Sequence, residues 1–249
     1  MDVKAYLERI NYKGSLEPTV KTLRDLQLAH LQTVPFENLS IHANEPIVLQ
    51  EDSLFDKIVT RKRGGFCYEL NGLFAALLGN LGFEVTMLSA GVAKNGGGFG
   101  PDFDHMTLMV SLEERWFVDV GFGDSFQQPL LIDSRDVQLQ GERSYQIDDD
   151  GKYLVLKEKK NEGDWKAQYS FFIQSCELKD YEEMCSYHQT SPQSTFTQKR
   201  LFSIAKPNGR ITLSDMRLIE TIGEEKFERT LADDTEYKTV LKNEFGIFM

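Results

Sequence analysis

Cysteine is scarce in this chain, with Cys67, Cys176 and Cys185 alone among 249 residues. No two of them form a Cys-x-x-Cys pair. So odd and sparse a set argues against a disulfide framework or a zinc site, and it fits a reducing compartment. Long apolar runs are missing too. Nothing approaches the roughly 18 residues of a membrane span, and Met1-Asp2-Val3-Lys4-Ala5 lacks a basic-then-apolar signal pattern. A cytoplasmic protein with no membrane partner is expected. Positive charge is also in short supply: 28 Lys and Arg face 39 Asp and Glu, for a net charge of −11. Apart from Arg61-Lys62-Arg63 there is no dense basic block, so a nucleic acid is not the main partner.

What is present is enough apolar residue, 41% of the chain, for a substantial core. The apolar pattern changes period along the chain. Residues 1–83 read as helical: Val20, Leu23, Leu26, Leu28 and Leu31 follow Pro18, a second segment runs from an Asp52 N-cap through Ile58 and Val59, and a third follows Cys67. Pro35 ends the first segment and leaves Phe36 and Glu37 on a loop. From Phe83 the period becomes two, with strands over 84–93, 105–112 and 116–121 and further short strands near 129–132, 143–148, 152–158 and 165–174. These predict a curled antiparallel sheet or small barrel. A helix around 178–188, short strands near 197–204 and 210–214, and a closing helix near 234–244 complete the expectation.

One stretch combines unusual features: Arg63-Gly64-Gly65-Phe66-Cys67-Tyr68-Glu69-Leu70-Asn71. The residues Leu70, Leu73, Phe74, Leu77, Leu78 and Leu81 make the stripe of a buried helix, which puts Cys67 at or just before its N-terminus. Unpaired amides and the positive end of the helix dipole favour a thiolate there. A thiolate that attacks carbonyls needs a base and a group that orients the base. Among the four histidines, His105 alone opens a strand directly after a glycine-rich loop, where a side chain can be both fixed and reachable. Asp119 is the only acid in the apolar run Trp116-Phe117-Val118-Asp119-Val120 and needs a partner. A hairpin turn at 112–115 can bring it beside His105. The order Cys, His, Asp also serves papain-like and transglutaminase-like enzymes, so order alone does not name the reaction.

Together with Val34-Pro35-Phe36-Glu37-Asn38-Leu39 and Trp116–Gly123, this stretch and His105 resemble the motifs of the arylamine N-acetyltransferases. The resemblance implies an α+β fold in three parts: a helical bundle over 1–83 carrying the cysteine, a β-barrel domain over 84–190 carrying the histidine and aspartate, and an α/β lid over 191–249. It implies ping-pong transfer of an acetyl group from acetyl-coenzyme A, through a Cys67 thioester, to an arylamine, a hydrazine or an N-hydroxyarylamine. Cys67, His105 and Asp119 are then catalytic. Phe36, Phe122 and Phe202 line the acceptor pocket, Gly97, Gly98, Phe99 and Gly100 border the coenzyme A cleft, and Arg9, Glu37 and Arg63 support the site. The close Cys67–His105 pair is expected to rest as thiolate and imidazolium. Acetyl-coenzyme A is a cosubstrate, with neither a resident cofactor nor a metal expected. The residues taken without the resemblance leave two other readings: a thiol hydrolase or transglutaminase-like enzyme using the same triad, and a binding module in which Cys67 is only a core residue.

Overall fold

Side-chain caps start the first helices. In the computed structural model, which describes residues 1–248, α1 (Val3–Arg9) begins where the Asp2 carboxylate accepts from the Ala5 amide. The next helix, α2 (Val20–Thr33), begins where the Thr19 hydroxyl accepts from the Thr22 amide. Each cap satisfies a first-turn donor that has no partner inside the helix. The expected loop at Phe36 and Glu37 is instead a short strand, β1 (Phe36–Glu37), because it pairs with Ser203 and Phe202 far along the chain. Helix α3 (Leu39–His42) follows. Then α4 (Glu51–Phe55) starts at Gln50 rather than at Asp52 and runs on into a π turn over Asp56–Thr60. Helix α5 (Cys67–Asn80) crosses the middle of the molecule, with Leu70, Leu73, Phe74, Leu77 and Leu78 wholly buried.

The middle of the chain forms β2 (Glu84–Val92), β3 (His105–Ser111), β4 (Arg115–Val118), β5 (Leu130–Leu131), β6 (Gln138–Gln140), β7 (Arg143–Asp149), β8 (Leu154–Lys160) and β9 (Lys166–Phe171). They make one antiparallel sheet in the order β5-β4-β3-β2-β9-β8-β7-β6. Its two edges are joined by side chains rather than by a ladder. The Gln138 amide accepts from the Leu131 N–H at 2.7 Å and donates to the Leu131 carbonyl at 3.0 Å. Gln140 likewise accepts from the Gln127 and Gln128 amides and donates to the Gln128 carbonyl. The sheet thereby all but closes into a barrel around Phe117, Phe126, Tyr145, Leu156, Tyr169 and Phe171, which hides most of its edge.

After a 3₁₀ turn at Leu178–Tyr181 come α6 (Glu182–Thr190) and α7 (Thr195–Gln198). Tyr181 and Cys185 pack into the helical core around α5, not into the barrel. Residues 197 and 198, expected to begin a strand, are instead the end of α7, which the Ser194 hydroxyl caps by accepting from the Phe196 amide. The chain ends with β10 (Leu201–Lys206), β11 (Gly209–Ser214), β12 (Arg217–Ile222), β13 (Glu225–Thr230) and α8 (Asp234–Phe245). Strand β1 leads this second sheet, in the order β1-β10-β11-β12-β13. Strands β6, β12 and β13 were not legible in the sequence: β6 and β13 have no buried residue, and β12 buries only Leu218. No helix among the described residues is long and apolar enough to cross a membrane.

Candidate active site

Cys67 is the first residue of α5 and is 3% exposed. The turn before it is braced by buried charges. The Glu37 carboxylate, itself inaccessible, accepts from Arg63 at 2.8 and 3.0 Å and from the Leu39 amide at 2.6 Å. Arg9 makes no hydrogen bond or ion pair with Glu37; its guanidinium donates to the carbonyls of Thr33, Ile58 and Arg63, tying three segments together. On the other side Glu69 accepts from the buried Lys57 ammonium at 2.7 Å and from the Phe66 amide at 3.1 Å. Gly64 is required by space: a Cβ there would lie 1.9 Å from the Pro35 carbonyl oxygen. Gly64→Ala is therefore expected to cost about 1–3 kcal/mol, measured as a lower denaturant midpoint with an unchanged slope.

Asp119 lies just beyond β4 and is 2% exposed. Its Oδ1 accepts from Asn71 at 2.9 Å and from the Gly121 amide at 2.8 Å. Its Oδ2 accepts from His105 Nε2 at 2.7 Å and from the Tyr169 hydroxyl at 2.9 Å. Burial would raise the carboxyl pKa, but His105, Asn71 and the Gly121 amide outweigh it and hold Asp119 below the usual carboxylate range. Asn71 is the central strut. One turn after Cys67 on α5, it also donates to the Met106 carbonyl at 2.7 Å and accepts from the Val120 amide at 2.9 Å, so helix, β3 and the segment after β4 share one amide. Gly121 completes the joint, because a Cβ there would stand 2.7 Å from the Cys67 Cα.

The sulfur does not behave as the helix start suggested. Burial pushes the Cys67 thiol well up, the Asp119 and Asp104 carboxylates push the same way, and the Met106 amide opposes them. A helix terminus contributes up to about 2 kcal/mol, less than the desolvation of a buried anion. The thiolate expected from the N-terminal position therefore has to come from a base that takes the proton.

Cys67 and His105 open onto a cleft of about 840 Å³ between the barrel, α6 and α7, and the second sheet. Phe36, Phe122, Tyr187 and Phe196 supply its aromatic walls. The Phe196 ring lies 6.1 Å from Phe36 and 5.7 Å from Phe66; Phe122 lies 5.1 Å from His105 and 4.8 Å from Tyr169. Among the described residues no group of three or more His, Cys, Asp or Glu is placed to hold a metal ion.

The N-acetyltransferase family profile matches residues 19–249. The chain is 33% identical to human arylamine N-acetyltransferase 1, over 99% of this chain and 94% of that one. It belongs to the arylamine N-acetyltransferase family. Two solved members share its fold: the M. tuberculosis enzyme at 31% identity and TM-score 0.93, covering 99% of this chain and 94% of that one, and the Mycobacterium marinum enzyme in complex with CoA at 32% identity and TM-score 0.92, covering 99% and 93%. The chain is accordingly an acyltransferase of α+β fold.

In this family member two expected cleft groups fall elsewhere. Phe202 is fully buried against Tyr237 and Phe245 in the core beneath α8. Alternation along β10 sends it away from the cleft and turns Leu201 and Ser203 toward it. Of the Gly97–Gly100 group, only Gly100 lines the cleft. Gly97 and Gly98 form the tip of a turn at φ +89° and +73°, where a Cβ would meet nothing within 4 Å, and Phe99 pairs back to Ala93. Gly100 answers to close approach, since its Cβ would sit 2.2 Å from the Asp104 carboxylate. Asn71, Tyr169 and Phe196 were missed as site residues. Only Asn71 carried a sequence signal, an amide on an apolar helix one turn from the cysteine.

Proposed function

We propose that the chain transfers acetyl from acetyl-coenzyme A to an arylamine, an arylhydrazine or the oxygen of an N-hydroxyarylamine through an acetyl-Cys67 intermediate. The reading rests chiefly on the fully hydrogen-bonded Asp119 carboxylate that grips His105 Nε2. With Nε2–H donated to Asp119, a neutral ring keeps Nδ1 free as the acceptor for the thiol proton. His105 takes that proton as the sulfur attacks the acetyl carbonyl carbon. The bond to the coenzyme A sulfur breaks, and the departing thiolate takes the proton back from His105. In the second half-reaction the amine nitrogen attacks the thioester carbonyl carbon, the bond between that carbon and Cys67 Sγ breaks, and the amine proton passes through His105 to the sulfur.

An arylamine is a weak base, so it stays neutral and nucleophilic near pH 7. Flat walls from Phe36, Phe122 and Phe196 suit a flat acceptor. Arg9, Glu37 and Arg63 have a supporting role in this scheme, holding the turn that presents Cys67.

Acetyl-coenzyme A alone is expected to add one acetyl group to Cys67, read by intact mass and peptide mapping, and addition of anisidine is expected to remove it with release of N-acetylanisidine. No mass gain, together with hydrolysis of amides in the absence of coenzyme A, would overturn the proposal in favour of a thiol hydrolase.

A further inference from the structure

Among the described residues strand β13 ends the second sheet with no neighbour beyond it, and all six of its residues are exposed. We propose that β13 is a self-association strand: two copies of the chain pair antiparallel about a two-fold axis at Phe227, merging their second sheets into one. Three independent features of the strand point to this register.

The first is the phase of its peptide groups. The Leu231 amide donates to the Met216 carbonyl at 2.7 Å, and the pairing continues with Arg217 opposite Thr230 and Glu220 opposite Phe227. Hydrogen-bonded and non-hydrogen-bonded pairs alternate in such a ladder. Residues 225, 227 and 229 therefore turn their peptide groups to β12, while 226, 228 and 230 turn theirs outward. A two-fold axis at Phe227 sets the outward groups of Lys226 against those of Glu228 in the second copy, so the pairing satisfies both.

The second is charge. In this register Lys226 faces Glu228 and Glu225 faces Arg229, twice each by symmetry. Shifting by two residues either way sets Glu228 or Lys226 against itself, and shifting by one opposes Lys226 to Arg229 and spoils the peptide phase. Charged edges ordinarily discourage pairing; the order of signs here is self-complementary in one register. Within one chain Lys226 and Arg217 already lie against Glu228, and Arg229 against Glu236, contacts that leave the alternation of sign along the edge unchanged.

The third is the apolar surface. Phe227 is 53% exposed and Ile222 is 56% exposed. Ile222 pairs with Glu225 and Glu220 with Phe227, so both apolar side chains lie on the face that Leu218 presents to α8. Across the axis, Phe227 would meet its own copy at a non-hydrogen-bonded position, where side chains come closest, flanked by Ile222 from each chain. Strand β13 lines no part of the cleft, so the pairing leaves the active site open.

Sedimentation of the full chain over a concentration series tests the proposal. The wild type is expected to show a monomer–dimer equilibrium. Glu228→Pro removes an outward N–H without touching the β12 ladder and is expected to give monomer only. Lys226→Glu is expected to weaken the dimer by roughly tenfold or more, from two pairs at up to about 1 kcal/mol each. Lys226→Glu combined with Glu228→Lys is expected to restore it. Register is checked by cross-linking. Phe227→Cys places two Cα atoms about 4.5 Å apart across the axis, within disulfide reach, whereas Glu225→Cys places them roughly 13 Å apart and is expected not to cross-link. A wild type that is monomeric throughout, a dimer indifferent to Glu228→Pro, or equal cross-linking by both cysteine variants would overturn the proposal. Acetyl transfer is expected to be unchanged in all of these variants.

Discussion

Replacing Cys67 with alanine is expected to abolish the acetyl-enzyme and to lower turnover by a factor on the order of 10⁴ or more. The size of the effect follows from what remains. Cleft, aromatic walls and the His105–Asp119 pair all persist, so substrates still bind, but the two half-reactions lose the atom that joins them. Direct attack of an arylamine on acetyl-coenzyme A would then have both substrates in the cleft at once, with His105 as the only assisting group. Stability is expected to change little, by about 1 kcal/mol, because one sulfur atom leaves a small void in a packed core. Intact mass after acetyl-coenzyme A should show no added acetyl group, and thermal melting should show a folded protein. An acetyl adduct of unchanged stoichiometry in Cys67→Ala would place the nucleophile elsewhere.

Asp119→Asn is expected to lower turnover by on the order of 10³–10⁴, the scale of a triad whose acid is made neutral. The hydrogen bonds explain why an almost isosteric change costs so much. The new amide oxygen can still accept from Asn71 and the Gly121 N–H. Its NH₂ group, however, now confronts His105 Nε2 and the Tyr169 hydroxyl, where Asp119 accepted from both. His105 must move its proton to Nδ1 to offer Nε2 as an acceptor, and that tautomer cannot take a proton from the sulfur. Burial already pushes the Cys67 thiol up, so a His105 that cannot take its proton leaves the sulfur as the weakly nucleophilic thiol. Alkylation of Cys67 by iodoacetamide should slow in parallel; alkylation at the wild-type rate would contradict the assigned role.

The same carboxylate links the site to acid stability. Asp119 is held below the usual carboxylate range, so its stabilising contribution is complete above the unfolded-state pKa and is lost as pH falls through the depressed folded-state value. Denaturant midpoints measured down that range should fall more gently in Asp119→Asn than in the wild type.

Much of the fold was legible from periodicity. The apolar stripe after Cys67 is α5, and the alternation from Phe83 onward is the barrel. Turn chemistry placed the hairpins at 112–115 and 149–151. What escaped notice were elements whose cause lies far away in the chain. Residues Phe36 and Glu37 become a strand only because Phe202 and Ser203 lie beside them. Strand β13, exposed throughout, has no buried face to write into its sequence. In the candidate site, Cys67, His105 and Asp119 could be proposed from residue type and local setting, whereas Tyr169 and Phe196 could not. Tyr169 reads as one aromatic in an apolar strand, and Phe196 lies just before an expected strand, in a short helix that was not foreseen.

By itself, then, the sequence determined the family, the helical and β regions, and which thiol, imidazole and carboxylate are available for chemistry. Only the tertiary structure decided the direction of the thiol's pKa, since desolvation depends on every chain segment packed around the sulfur and outweighs the local pull of a helix terminus. It also decided which aromatic side chains face the acceptor. A strand alternates its faces residue by residue, and the packing of α8 against one side of β10 sends Phe202 into the core and leaves the cleft wall to Phe196.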